Sequence, residues 1–211
     1  MANQKGYGTK KNGKVYLFNE AKHPLHPWSR HQFVWQDVSF NRLEQCLGFH
    51  KARHFKLGKK VKQAVMECQT GWAVVKLLKA QDISKEADWK GWGRWVMDNL
   101  PQILRQMAMD SGRFREALME IQEPVIGLAT LDKSLGTGMD SLPKKKKSEA
   151  WKPETWKGRN ILGKQLAQLR SELRAVADSS DEDDEEEEEE EEEPKSLKRE
   201  AQPEEEEEKP E

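Results

Sequence analysis

Cysteine is nearly absent from this sequence: Cys46 and Cys68 are the only two, and both have apolar neighbours. Two thiols make no disulfide framework, and their separation is not that of a zinc site. The expectation is a pair of buried thiols in a reducing compartment. Long apolar runs are missing as well. No stretch approaches the roughly 18–20 residues that cross a bilayer, and the opening Met-Ala-Asn-Gln-Lys lacks the apolar segment of a signal peptide. A soluble intracellular protein without a membrane partner is expected, cytoplasmic or nuclear. Histidine is sparse too. His23, His26 and His31 share a proline-bounded loop but show no recognised metal spacing, so neither a metal nor another cofactor is expected.

Charge is what the chain has in quantity, and it is unevenly divided. Lys and Arg number 36, against 38 for Asp and Glu. Residues 178–211 hold 21 of the acidic and 4 of the basic residues, leaving 17 acidic and 32 basic in 1–177. The body therefore carries about +15 and the C-terminal segment about −17. A body of that charge suits polyanions such as nucleic acid or nucleotides, unless its counterpart is only the chain's own tail. The acidic segment has almost no apolar content to offset chain entropy and is expected to be disordered. Tails of this kind bind basic proteins or mask a basic face. Pro143 followed by four lysines, residues 143–147, is a candidate import signal. The expected layout is a flexible basic N-terminus (1–14), one domain (15–177) with a basic linker-like insertion (139–155), and a disordered tail (178–211).

Within the body the patterning is mostly helical. Val15-Tyr16-Leu17-Phe18 reads as a short strand, residues 32–40 as a strand or tight hairpin, and residues 124–129 as a third strand. Asn41 reads as an N-cap with Glu44 in a capping-box position, starting a helix over 42–55. Further helices are expected over 61–67, 72–79 (begun at Thr70 or Gly71), 89–99, 100–109 with Pro101 in its first turn, 113–121 and 159–176. This is an α+β domain, mainly helical, with two or three short strands.

Three constellations bear on chemistry. Glu44 and Lys51, seven residues apart, share one helix face about 10 Å apart along the axis. Between them Gly48 removes a side chain, which would leave room for a ligand. Asp132, after the third strand, precedes Gly136 and Gly138, which would let backbone N–H groups approach an anion or a sugar. Asn160 lies at the start of the last helix, as a cap or as a group aimed at a phosphate. Each also has a plainer reading, as a capping glutamate, an Asx turn and a helix cap. Of the eight tryptophans, Trp28 in its proline-bounded loop is the candidate stacking platform, and most others are expected in the core.

The order of these features is more specific than any one of them. Glu44-Gln45 with Lys51 is followed by Thr70, Ala73 and Lys76. Next come Trp89, Arg94 and Met97; then Asp132, Gly136 and Gly138; and finally Trp156, Gly158, Asn160, Leu162 and Gly163. The chain thereby resembles the NADAR (YbiA-like) family over about residues 18–175. It departs at His26-Pro27, where the family has a Ser-Asn pair, at Leu135, where a Trp is common, and at Leu104-Arg105, where a Lys-Phe pair is common. The resemblance implies a single YbiA-like domain without a metal, and hydrolysis of the N-glycosidic bond between a ribose and a base. It implies an ADP-ribosyl or ribosyl-phosphate substrate, such as ADP-ribosylated guanine. It assigns Glu44 to the oxocarbenium-like centre or its water, and Asp132 to a second carboxylate. Lys51 would hold Glu44 ionised. Trp28, Arg94, Gly136, Gly138 and Asn160 would contact substrate. The alternatives are an inactive module that binds ADP-ribose or nucleic acid, and a nuclear interaction protein acting through its tail.

Overall fold

The strand at Val15–Phe18 (β2) is buried along its whole length, which requires cover on both faces and partners on both edges. One partner is local. Thr9–Lys11 (β1) runs back antiparallel to it, Thr9 opposite Phe18, so part of the segment expected to be frayed is ordered. The other is remote: Val125–Leu128 (β5) pairs with β2 in parallel, and the sheet order is β1-β2-β5. A parallel pair needs a crossover, and almost the whole body supplies it. The computed structural model describes residues 9–139, 142–143 and 148–189; the four lysines of the candidate import signal and residues 190–211 lie outside them.

The crossover begins with Phe33–Trp35 (β3) and Val38–Phe40 (β4), a tight antiparallel hairpin. Its turn residues Gln36 and Asp37 have φ of 48° and 60°, the two left-handed residues of a turn whose twist matches its strands. Five helices follow: Leu43–His54 (α1), Gly58–Glu67 (α2), Gly71–Lys79 (α3), Trp89–Asp110 (α4) and Gly112–Met119 (α5). After β5, Glu149–Trp151 and Pro153–Thr155 form two 3-10 turns, so the latter half of the expected insertion has regular structure. Ile161–Glu189 (α6) ends the described chain. It runs past the end expected at residue 176, into the acidic segment.

Expected and observed helices differ most at α4. Pro101 lacks the N–H that would bond Met97 C=O, yet one helix continues through it. Its apolar stripe explains why. Leu100, Ile103, Leu104 and Met107 are all buried in the main core with Phe18, Phe114 and Leu166, and packing of that stripe outweighs one missing hydrogen bond. The same geometry accounts for one departure noted above. Leu104 is core, while Arg105 points outward and pairs with Glu172 on α6. Arg170 of α6 is buried and donates to Ile121 C=O and Glu123 C=O, tying α6 to the turn before β5. The two thiols differ: Cys46 is buried, whereas Cys68 is half-buried and donates to Ala64 C=O.

A smaller core of Ala52, Val65, Val74 and Leu78 joins α1, α2 and α3, and it revises the reading of Gly48. A Cβ on Gly48 would lie 2.5 Å from Val74 Cγ1 and 3.2 Å from Leu78 Cδ1. The missing side chain lets α3 close on α1, and Gly48 also lines the cavity described below. Gly48→Ala is expected to cost about 1–3 kcal/mol in urea denaturation. Gly93→Ala is the control: its Cβ meets nothing within 4 Å, so helix propensity should stabilise it by up to about 1 kcal/mol.

The chain falls into two units, Met1–Arg174 and Ala175–Glu211, and the first contains the five strands of the described residues and the core. No helix among the described residues is long and apolar enough to cross a membrane.

Candidate active site

The start of α1 is held by contacts unlike those of a capping box. Arg42 occupies the N-cap position in extended conformation, without a side-chain cap bond, and its guanidinium instead donates to Gln69 C=O and Trp28 C=O. Asn41 is not the cap. Its N–H donates to Gln45 Oε1 at 2.8 Å, while Gln45 Nε2 donates to Met66 C=O at 2.8 Å. Gln45 thereby fastens the hairpin and the end of α2 to α1. The Glu44 N–H donates to Pro27 C=O at 2.9 Å, leaving its carboxyl free to face the interior of a cavity.

That cavity measures about 790 Å³, within the range of small-molecule sites. Glu44, Leu47, Gly48 and Lys51 form one wall, Val75, Leu78 and Lys79 of α3 another, and Trp89 and Trp92 of α4 a third. Asp132, Lys133, Leu135 and Arg159 close the remaining side. Of the residues given a catalytic role from sequence, Glu44, Lys51 and Asp132 meet here, with Gly48, Trp89 and Leu135, also noted from sequence, beside them.

Glu44 is half-buried and its carboxyl is pushed up to about 7. Burial is the main cause and the charge of Asp132 adds to it. A hydrogen bond from the Trp28 indole and the charge of Lys51 oppose the shift and are outweighed. Lys51 does not hold Glu44 fully ionised, contrary to expectation. Its own ammonium is lowered by burial, against the pull of Glu44 and Asp132, and sits 4.9 Å from the centre of the Trp89 ring. Between about pH 4.5 and 7 the folded chain keeps a proton on Glu44 that the unfolded chain releases, so stability falls as pH rises through that window. Glu44→Gln removes the penalty. The variant is expected to be more stable than wild type at pH 8 by about 1–3 kcal/mol, with no gain at pH 4; chemical denaturation at the two pH values measures it.

Asp132 is exposed at the rim. Its Oδ1 accepts from the N–H groups of Ser134 (2.6 Å) and Leu135 (2.8 Å), the Asx turn anticipated as its plainer role. The loop after it is fastened to the start of α6. The N–H groups of Arg159, Asn160, Ile161 and Leu162 donate to the carbonyls of Lys133, Gly136, Ser134 and Leu135. Those of Asn160, Ile161 and Leu162 are donors that a helix N-terminus leaves unpaired, and here loop carbonyls consume them.

Five sequence candidates are therefore reassigned. Gly136 serves backbone contact: a Cβ there would lie 2.4 Å from Thr130 Oγ1 and 2.9 Å from Leu128 O. Gly138, with φ of +73°, abuts Gly158 N and lines a separate groove of about 560 Å³. Asn160 is buried. Its Oδ1 accepts from Leu128 N–H at 3.3 Å and its Nδ2 donates to Ile126 C=O at 2.8 Å, so its amide stands in for a neighbouring strand along β5. Arg94 is exposed and outside the cavity lining. Trp28 packs on Gly71, whose Cβ would lie 2.4 Å from the indole, and its ring N–H steadies the Glu44 carboxyl. It positions Glu44 and does not line the cavity.

His26-Pro27 has a place in this support. His26 Nδ1 accepts from Trp28 N–H at 3.1 Å. Burial holds the imidazole at about 4, so it is neutral and able to accept. Pro27 supplies the carbonyl that receives the Glu44 N–H. Among the described residues no group of three or more His, Cys, Asp or Glu side chains is placed to hold a metal. Sequence reasoning gave Trp89 no role in the site beyond its place in the motif order, and missed Trp92, Lys133 and Arg159. The i, i+3 spacing of Trp89 and Trp92 put them on one helix face, and Lys133 and Arg159 adjoin residues already singled out.

The result is an α+β pocket protein with a carboxyl raised by burial, a lysine and a second carboxylate around one cavity. An indole wall and basic groups at Lys79, Lys133 and Arg159 complete the lining. The NADAR domain family matches residues 7–174, and the chain belongs to that family. Its fold is that of the E. coli protein YbiA, whose NMR structure aligns with a TM-score of 0.57 at 14% identity, over 81% of this chain and 90% of that one. No curated protein sequence matches the chain.

Proposed function

We propose that this chain is an N-glycosidase that hydrolyses a ribose–base N-glycosidic bond in an ADP-ribosylated or ribosyl-phosphate substrate, of which ADP-ribosylated guanine is the leading example. The observation that carries the reading is Glu44, a half-buried carboxyl raised to about 7 beside Lys51 in a cavity bounded by Asp132. In the reaction the bond between C1′ and the base nitrogen breaks and its electron pair leaves with the base. The sugar develops oxocarbenium character, which ionised Glu44 stabilises. Water adds at C1′ and gives its proton to a carboxylate, for which Asp132 is the second candidate. The proton lost by water balances the one gained by the departing base.

The rest of the lining has matching roles. Trp89 and Trp92 offer flat faces to a base. Lys51 contacts a phosphate or the leaving base. Four cations against two carboxylates favour an anionic substrate.

The test is to incubate the full chain with an oligonucleotide carrying ADP-ribosylated guanine and follow free ADP-ribose, with Glu44→Gln in parallel. Release by wild type alone is the expected result. Tight binding without release by either protein would overturn the reading in favour of a binding module.

A further inference from the structure

Trp89 and Trp72 each carry a lysine over the ring. Trp89 is in the cavity under Lys51. Trp72 on α3 is 56% exposed, lies outside the cavity lining and has the Lys76 ammonium 5.2 Å from its ring centre. An indole that exposed gives up solvation benefit with no packing return within the fold, and nothing in the small core between α1, α2 and α3 uses it.

Its setting on the helix is directional. Trp72, Lys76 and Lys79 are spaced by four and three residues, so they form one stripe within about 60° of azimuth, some 10 Å long. Lys76 and Lys79 are exposed, and neither enters an ion pair among the described residues. The stripe has one end in open solvent, at Trp72. The other end, Lys79, is part of the cavity lining together with Val75 and Leu78. A ring followed by two cations thus leads from the surface to the cavity mouth.

We propose that this stripe is the docking track for the single-stranded nucleic acid on either side of the nucleotide that enters the cavity. Trp72 stacks on a flanking base, and Lys76 and Lys79 neutralise backbone phosphates between that base and the mouth. A flat ring beside backbone-spaced cations is the combination by which single strands are held without sequence preference. An acidic peptide would satisfy the lysines but has no planar group for the indole. The proposal deepens the glycosidase reading and rests on it for what the track leads to. Binding itself does not depend on turnover.

The experiment measures fluorescence anisotropy of a labelled, unmodified single-stranded 12-mer with the full chain at low salt, repeated over a salt series. Trp72→Ala is expected to weaken binding at least fivefold, within the range for loss of one stacked base, while leaving the salt slope as it is. Trp72→Phe should recover most of the affinity. Lys76→Ala should reduce the slope of log K against log salt by about 0.7, the value for one single-strand phosphate contact. Because Trp72 is exposed, the variants should retain the wild-type circular dichroism spectrum. A smaller effect of Trp72→Ala, or displacement of the strand by polyglutamate at equal charge concentration as readily as by unlabelled strand, would overturn the proposal. An inactive protein can still pass this test and an active one can fail it, so its outcome is separate from that of the glycosidase assay.

Discussion

Glu44→Gln is expected to lower kcat by about a thousandfold with KM changed only a few-fold. The amide keeps the size of the carboxyl and can still accept from the Trp28 indole, so the cavity should keep its shape. What it cannot do is carry a negative charge as the sugar becomes cationic, or take a proton from water. Binding of the ground state draws mainly on the indole wall and the cations, which is why the loss should fall on kcat. The pH profile gives the same residue a second signature. Glu44 acts in its ionised form, and burial holds its carboxyl at about 7. The wild-type kcat/KM should therefore fall tenfold per unit below about pH 6, rise through 7 and level off above 8. A profile flat from pH 5 to 8 would remove Glu44 from the role. The substitution should cost activity and, above pH 7, add stability, a pairing expected when a charged group is held in a site that disfavours its charge.

Asn160→Ala is expected to destabilise the domain by about 3–5 kcal/mol, lowering Tm by roughly 10 °C. Both amide bonds to β5 are buried, so the change leaves the Leu128 N–H and the Ile126 C=O without partners. Asn160 also has φ of 48°, a conformation asparagine tolerates better than alanine. Asn160→Gly separates the two contributions: it loses the same hydrogen bonds but not the backbone preference, and should be more stable than the alanine variant by about 1 kcal/mol. If Asn160 contacted a substrate phosphate, the main effect would fall on KM instead, with Tm close to wild type.

The helices and strands were legible in sequence wherever apolar period and local punctuation agreed. Strand β2 is an example, and residues 32–40, read as a strand or a tight hairpin, are the hairpin. Where they disagreed, tertiary packing decided. Pro101 suggested a break, but the buried stripe on α4 carries the helix through. At the site, helical spacing placed Glu44 and Lys51 on one face, and both line the cavity. The glycines show the limit of such reading. A glycine announces that something approaches its backbone closely without saying what. Gly48 admits Val74, Gly136 admits Thr130 and Leu128, and Gly158 admits Gly136. Asn160 likewise signalled a special backbone position, and only the fold shows its amide spent on β5. The direction of the Glu44 shift was also out of reach, because it depends on how much protein surrounds the carboxyl, which one sequence does not state.

The parallel pairing of β2 with β5 has a consequence for how the molecule is made. The central strand of the sheet leaves the ribosome early, but its parallel neighbour, some 110 positions further on, emerges only after all five crossover helices. Until then β2 has one open edge, and Asp132, Lys133 and Arg159 have not been synthesised. A nascent chain stalled before residue 125 would hold Glu44 in a cavity open on the side that Asp132, Lys133, Leu135 and Arg159 close. The pocket is thus one of the last parts of the body to be assembled, and a truncated product would present an exposed strand edge and no working site.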